Sequence, residues 1–178
     1  MRNLVLILIL AGVAHFAWNK VTEEKPDWFL DLVADSILFD STVNINLSAD
    51  PGWTENQLVQ QFGHLYLVCS NESSNLGDRV CWTRISSLNG VPAKDIAFFF
   101  RDDRYSFLRV TFEVEKHRDL KSYLDDNFRY VGVSPRSKEE VGQELGVWKT
   151  PKSTLATYIE APRGEEVVLT WTVLRGMG

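Results

Sequence analysis

The stretch "DIAFFFRDDRYSFLRVTFEV", residues 95–114, constrains the chain more than any other segment. Two runs of aromatic and β-branched residues flank "RDDR", and four consecutive charges between apolar runs belong on a water-exposed turn, so the segment reads as a β-hairpin. Side chains alternate across a strand. Ile96, Phe98 and Phe100 on one arm and Leu108, Val110 and Phe112 on the other form a face that must be core. The opposite face is expected to carry Phe99, Tyr105, Phe107 and Arg109. Aromatic residues with arginine are the composition enriched at protein interfaces, which makes these four the candidate partner surface. The plainer reading, and the preferred one, is that the C-terminal half of the chain covers them as an interdomain core. Asp102 and Asp103 invite a carboxylate-pair reading, but a self-neutralising hairpin tip explains them better.

Both cysteines sit at the necks of a second hairpin. "HLYLVC" and "RVCWTRI" carry strand-type residues on either side of "SNESSNLGDRV", whose Asn, Ser, Gly and Asp content is that of a loop. In an oxidising compartment Cys69 and Cys81 are predicted to form a disulfide clamping this hairpin. A loop this short contributes about 3 kcal/mol in the chain-entropy model. The alternatives are free structural thiols or cysteine chemistry. There is no C-x-x-C spacing, and two Cys with His64 and His117 make a poor zinc set, so neither a metal nor a cofactor is expected.

The compartment is read from the N-terminus. Arg2 precedes "LVLILILAGVAHFAW", Leu4 to Trp18, and Lys20 and an acidic flank follow. The run is short of the roughly 20 residues that cross a bilayer squarely and near the upper limit of a signal-peptide apolar region. A retained anchor is the preferred reading, with Trp18 and Lys20 at the outer interface. Cleavage after small residues such as Gly12 or Ala14 is the alternative. Either outcome exports everything beyond Lys20, giving an inner-membrane protein with a periplasmic domain or a soluble periplasmic one. Net charge of −5, from 24 acidic and 19 basic residues without a basic run, argues against nucleic acid as a partner.

Elsewhere "DWFLDLVADSILF" has Phe29, Leu32, Val33 and Ile37 on one side of a helix and Asp27, Asp31 and Asp35 on the other. Thr54 and Gln57 form a capping-box pattern opening a short helix that carries Leu58, Val59 and Phe62 and stops at Gly63. "HRDLKSYLDDNFRYVG" repeats helical spacing through Leu120, Tyr123, Leu124 and Phe128. "GVWKT", "TLATYIEA" and "EEVVLTWTVL" then read as strands. The expected fold is α+β, an N-terminal membrane helix followed by short helices packed on antiparallel sheet. Its parts are a membrane segment at 1–20, an amphipathic helix and connection at 21–52, and α+β units at 53–115 and 116–178. The two units suggest a duplication: the same interval separates Phe62 from Trp82 and Phe128 from Trp148, with Leu58 and Leu124 four positions before each phenylalanine. Both tryptophans are expected as core anchors.

From Thr54 to Phe112, "TENQLVQQFG", "VCWTRI" and "IAFFF" or "LRVTF" resemble the helix and strands of the BamE (SmpA/OmlA) family of small envelope lipoproteins. The resemblance covers about a third of the chain and implies a non-enzymatic scaffold domain with no catalytic residue. That family has a lipobox cysteine, and none stands near this N-terminus, which favours the inner membrane or periplasm over the outer membrane. Neither G-x-S-x-G, H-E-x-x-H, a P-loop nor a Gly-rich dinucleotide turn is present, so no catalytic residue is assigned and the protein is read as a non-enzyme. The function expected is a membrane-anchored, periplasm-facing scaffold or accessory subunit of an envelope complex with a protein partner. The alternatives are a soluble periplasmic peptide or lipid binder, which needs a deep apolar pocket, and an exported hydrolase with an unrecognised site.

Overall fold

The computed structural model describes residues 41–71, 74–135 and 143–173. In chain order these hold β1 (Thr42–Val43), α1 (Glu55–Gln61), β2 (Val68–Asn71), β3 (Arg79–Arg84), β4 (Ser87–Leu88), β5 (Val91–Pro92), β6 (Asp95–Arg101) and β7 (Arg104–Glu113). A short 3₁₀ turn (Val114–Lys116) leads into α2 (His117–Asn127), and β8 (Arg129–Val133), β9 (Leu145–Lys149), β10 (Ser153–Tyr158) and β11 (Glu166–Val173) follow. One eight-stranded sheet dominates, ordered β2-β3-β6-β7-β11-β10-β9-β8, with every neighbouring pair antiparallel. A small three-stranded sheet joins β1, β4 and β5.

This overturns the expected fold class: the protein is mostly β, and the two blocks do not stand as separate helix-on-sheet units. They share one sheet. Each contributes a four-stranded meander, β2-β3-β6-β7 and β8-β9-β10-β11, and the two meet through their last strands, β7 against β11. Long-range pairing such as Val110 with Leu169 and Leu108 with Trp171 builds this seam, and no local propensity encodes it. The membrane-helix expectation is corrected as well: among the described residues no helix is long and apolar enough to cross a membrane. Leu4 to Trp18 and the amphipathic stretch at 27–39 lie outside the described residues.

α1 starts where its cap dictates, whereas α2 continues from the 3₁₀ turn without a side-chain cap. Thr54 Oγ1 accepts the Gln57 N–H at 3.3 Å while Gln57 Oε1 accepts the Thr54 N–H at 3.0 Å, so two orphan donors at the start of α1 are satisfied. Phe62 closes α1 by donating its N–H to the Leu58 carbonyl, and Phe128 closes α2 by donating to the Leu124 carbonyl, both at 2.9 Å. Leu58, Phe62, Leu120 and Leu124 are buried.

They join one core on the inner face of the sheet with Ile96, Phe98, Phe100, Leu108, Val110, Phe112, Trp148 and Trp171, and with Val43, Ile45, Leu47 and Leu88 from the segments that cross it. Trp53 packs edge-on against Phe62, Phe98 and Tyr105. The Trp148 indole N–H donates to Asp125 Oδ1 at 2.9 Å, fastening β9 to α2. Asp125 also accepts from Lys121, and that contact first and the Trp148 N–H second hold its carboxyl below the usual range, against an opposing desolvation.

Candidate functional site

The outer face is built by the other set of alternating positions. Register places Val80, Phe99, Phe107, Thr172, Thr154, Lys149 and Arg129 in one row across seven strands. Val68, Trp82, Ala97, Arg109, Thr170, Ala156 and Val147 form the next. Val80, Ala97 and Phe99 make an apolar cluster of their own, with Phe107 packed against it, and the members of this cluster all come from the sheet itself. Phe99 and Phe107 meet edge-on at 5.8 Å.

Three of the four expected surface residues therefore share this face, at different depths. Phe99 is only 5% exposed, Phe107 is half-buried and Arg109 is exposed. Tyr105 is a correction: it is fully buried on the inner face. A register shift between Phe99 and Phe100 is the cause. Phe99 pairs with Phe107, but Phe100 pairs with Tyr105, leaving Ser106 as an extra residue that reverses the alternation. The Ser106 hydroxyl lies 3.0 Å from the Phe99 carbonyl oxygen and 2.9 Å from that of Leu76, which holds the bulge. Tyr105 then donates its O–H to the Trp171 carbonyl at 3.2 Å. Burial, and secondarily the charge of Asp50, push its phenol well above the usual tyrosine range.

The expected covering of this face by the C-terminal block is also corrected, because β8–β11 extend the sheet edgewise and add to the face. Trp82 is a further departure. Trp148 is buried as expected, whereas Trp82 is 45% exposed beside its cross-strand partner Val68, 54% exposed. The signal was present in the sequence: with Cys81 facing the core, its neighbour Trp82 must face out.

The remaining candidates are structural. Cys69 and Cys81 are bonded to each other across β2 and β3, on the inner side of the hairpin. Their sulfurs lie with a Glu55 carboxylate oxygen within 4.8 Å of one another, a potential ligand trio. Both sulfurs are consumed by the bond, and Arg79 holds Glu55 through two guanidinium nitrogens, so the trio offers no thiolate. At the hairpin tip Asp102 and Asp103 adopt φ of 52° and 57°, the left-handed conformation of a two-residue hairpin turn, which aspartate tolerates better than most residues. The Asp102 N–H donates to Asp78 Oδ2 at 3.1 Å, and Asp103 Oδ1 accepts the Glu55 N–H at 3.4 Å. His117 is buried with Nε2 2.8 Å from the Tyr158 carbonyl oxygen, and His64 is exposed. No family model, curated protein or solved structure matches this chain.

Proposed function

We propose that this chain is an exported, non-enzymatic scaffold or accessory subunit of a bacterial envelope complex, and that it engages a protein partner through the outer face of its sheet. The observation that carries the reading is the Trp82–Val68 pair, two large apolar side chains left open to water where they continue the Val80, Ala97, Phe99 and Phe107 cluster. An exposed tryptophan at the margin of an apolar patch, with arginine nearby, has the composition of a binding hot spot. Support for export is the Cys69–Cys81 bond, since such bonds persist in oxidising compartments. Support for an envelope role is the BamE-like pattern, with its Thr54–Gln57 capping box closed in both directions.

The test is co-purification from mild detergent extracts with tagged wild type, Trp82→Glu and a control, Lys121→Glu, on the exposed side of α2. Trp82→Glu is expected to melt within a few degrees of wild type, because the substituted side chain is half exposed, while losing its partner at least about tenfold. Lys121→Glu is expected to retain it. Equal recovery of the same partner by folded Trp82→Glu contradicts the assignment.

A further inference from the structure

We infer that the partner received by this face is a protein surface that brings carboxylates, set beside an apolar side chain that meets Trp82 and Phe107. The inference rests on the docking reading above and adds the partner's chemistry. Across the two upper rows of the outer face the charged residues are Arg109, Lys149 and Arg129, all exposed, and neither row contains an aspartate or glutamate. Among the described residues no ion pair joins any of the three to a carboxylate. The acidic groups of the face lie at its other end: Asp95 stands opposite Arg84 and accepts the Thr111 hydroxyl at 2.9 Å, Glu166 takes Lys94, and Glu113, exposed, stands cross-strand from Glu166 with its charge acting on Lys94.

This local positive field runs against the sign of the whole chain, which is −5. Clefts and faces of one sign concentrate ligands of the opposite sign and speed encounter. A second copy docked face to face would give these cations carboxylates only in the orientation that sets them against Asp95, Glu113 and Glu166 of the other copy, and Asp95 and Glu166 are already engaged. An extended polyphosphate is disfavoured too. Arg109 on β7 and Lys149 on β9 are three strand spacings apart, about 14 Å, across a threonine-lined surface with no basic side chain to bridge them. Apolar contact on β2, β3, β6 and β7 beside cations on β7, β9 and β8 suits a compact protein epitope in which an aromatic or aliphatic residue neighbours acidic ones.

A phage library displaying random constrained loops, selected on the full chain and counter-selected on Trp82→Glu, tests this. Clones lost on Trp82→Glu are expected to be rich in Asp and Glu with an aromatic or aliphatic residue. A synthetic loop from such a clone is expected to weaken at least about tenfold between about 0.01 M and 1 M salt, as the Debye length falls from about 30 to about 3 Å. It is expected to weaken similarly on Lys149→Glu with Arg129→Glu, provided that variant melts like wild type. Clones that need Trp82 but are neutral or basic, and are indifferent to charge reversal, overturn the acidic-partner inference while leaving the docking reading intact. Clones indifferent to Trp82→Glu overturn both. A concentration-dependent dimer, or binding of poly-dT, abolished by Trp82→Glu would assign the face to a second copy or to nucleic acid and overturn the inference.

Discussion

At the scale of single residues, one inserted position decides which face a tyrosine occupies. Alternation read along β7 puts Tyr105 with Phe107 and Arg109, and strict period-two counting cannot anticipate that Ser106 is the extra residue of a bulge. Tyr105 is instead packed at 5.2 Å against Trp171 with its hydroxyl spent on the Trp171 carbonyl. Tyr105→Phe is expected to cost about 1 kcal/mol at neutral pH, the net worth of a buried hydrogen bond. A pH dependence follows with a definite sign. The folded phenol titrates above its unfolded value of about 10, so its contribution is complete below that pH and is lost as pH climbs through it toward the folded value. Melting midpoints from pH 8 to 11 are therefore expected to fall more steeply for wild type than for Tyr105→Phe. Parallel falls would show that Tyr105 is not buried in the native state.

At the scale of elements, much was legible and the registration was not. The hairpins β2–β3 and β6–β7, the capped α1 and the helix α2 follow from turn chemistry, capping and spacing. The matched Leu58–Phe62 and Leu124–Phe128 pairs occupy equivalent places, each phenylalanine closing its helix on the leucine carbonyl four residues back. The Trp82–Trp148 correspondence is off by one: the inward pair of the first hairpin is Cys69–Cys81, and its counterpart in the second is Tyr130–Trp148, whose rings meet at 5.2 Å. The disulfide thus stands where an aromatic pair stands in the other meander. It holds β2, an edge strand of four residues whose sheet neighbour is β3. Replacing both cysteines with alanine is expected to cost about 3 kcal/mol, a fall of roughly 6–12 °C in midpoint for a chain of this length. A change under about 1 kcal/mol in chemical denaturation would mean that the bridge adds little to this edge.

At the scale of the whole molecule, segments that read as two small α+β units merge their strands into one eight-stranded sheet, because the seam between β7 and β11 depends on residues far apart in sequence. That merger places β8–β11 beside the aromatic patch, where covering of it by the C-terminal block was expected. The central claim is that this face, marked by Trp82, is where the protein meets its partner. The most direct measurement is site-specific photo-cross-linking in cells, with a photoreactive phenylalanine analogue at position 82 and, as control, at position 121 on α2. The account predicts a discrete adduct from position 82 and none from 121; adducts from 121 with none from 82 would contradict it.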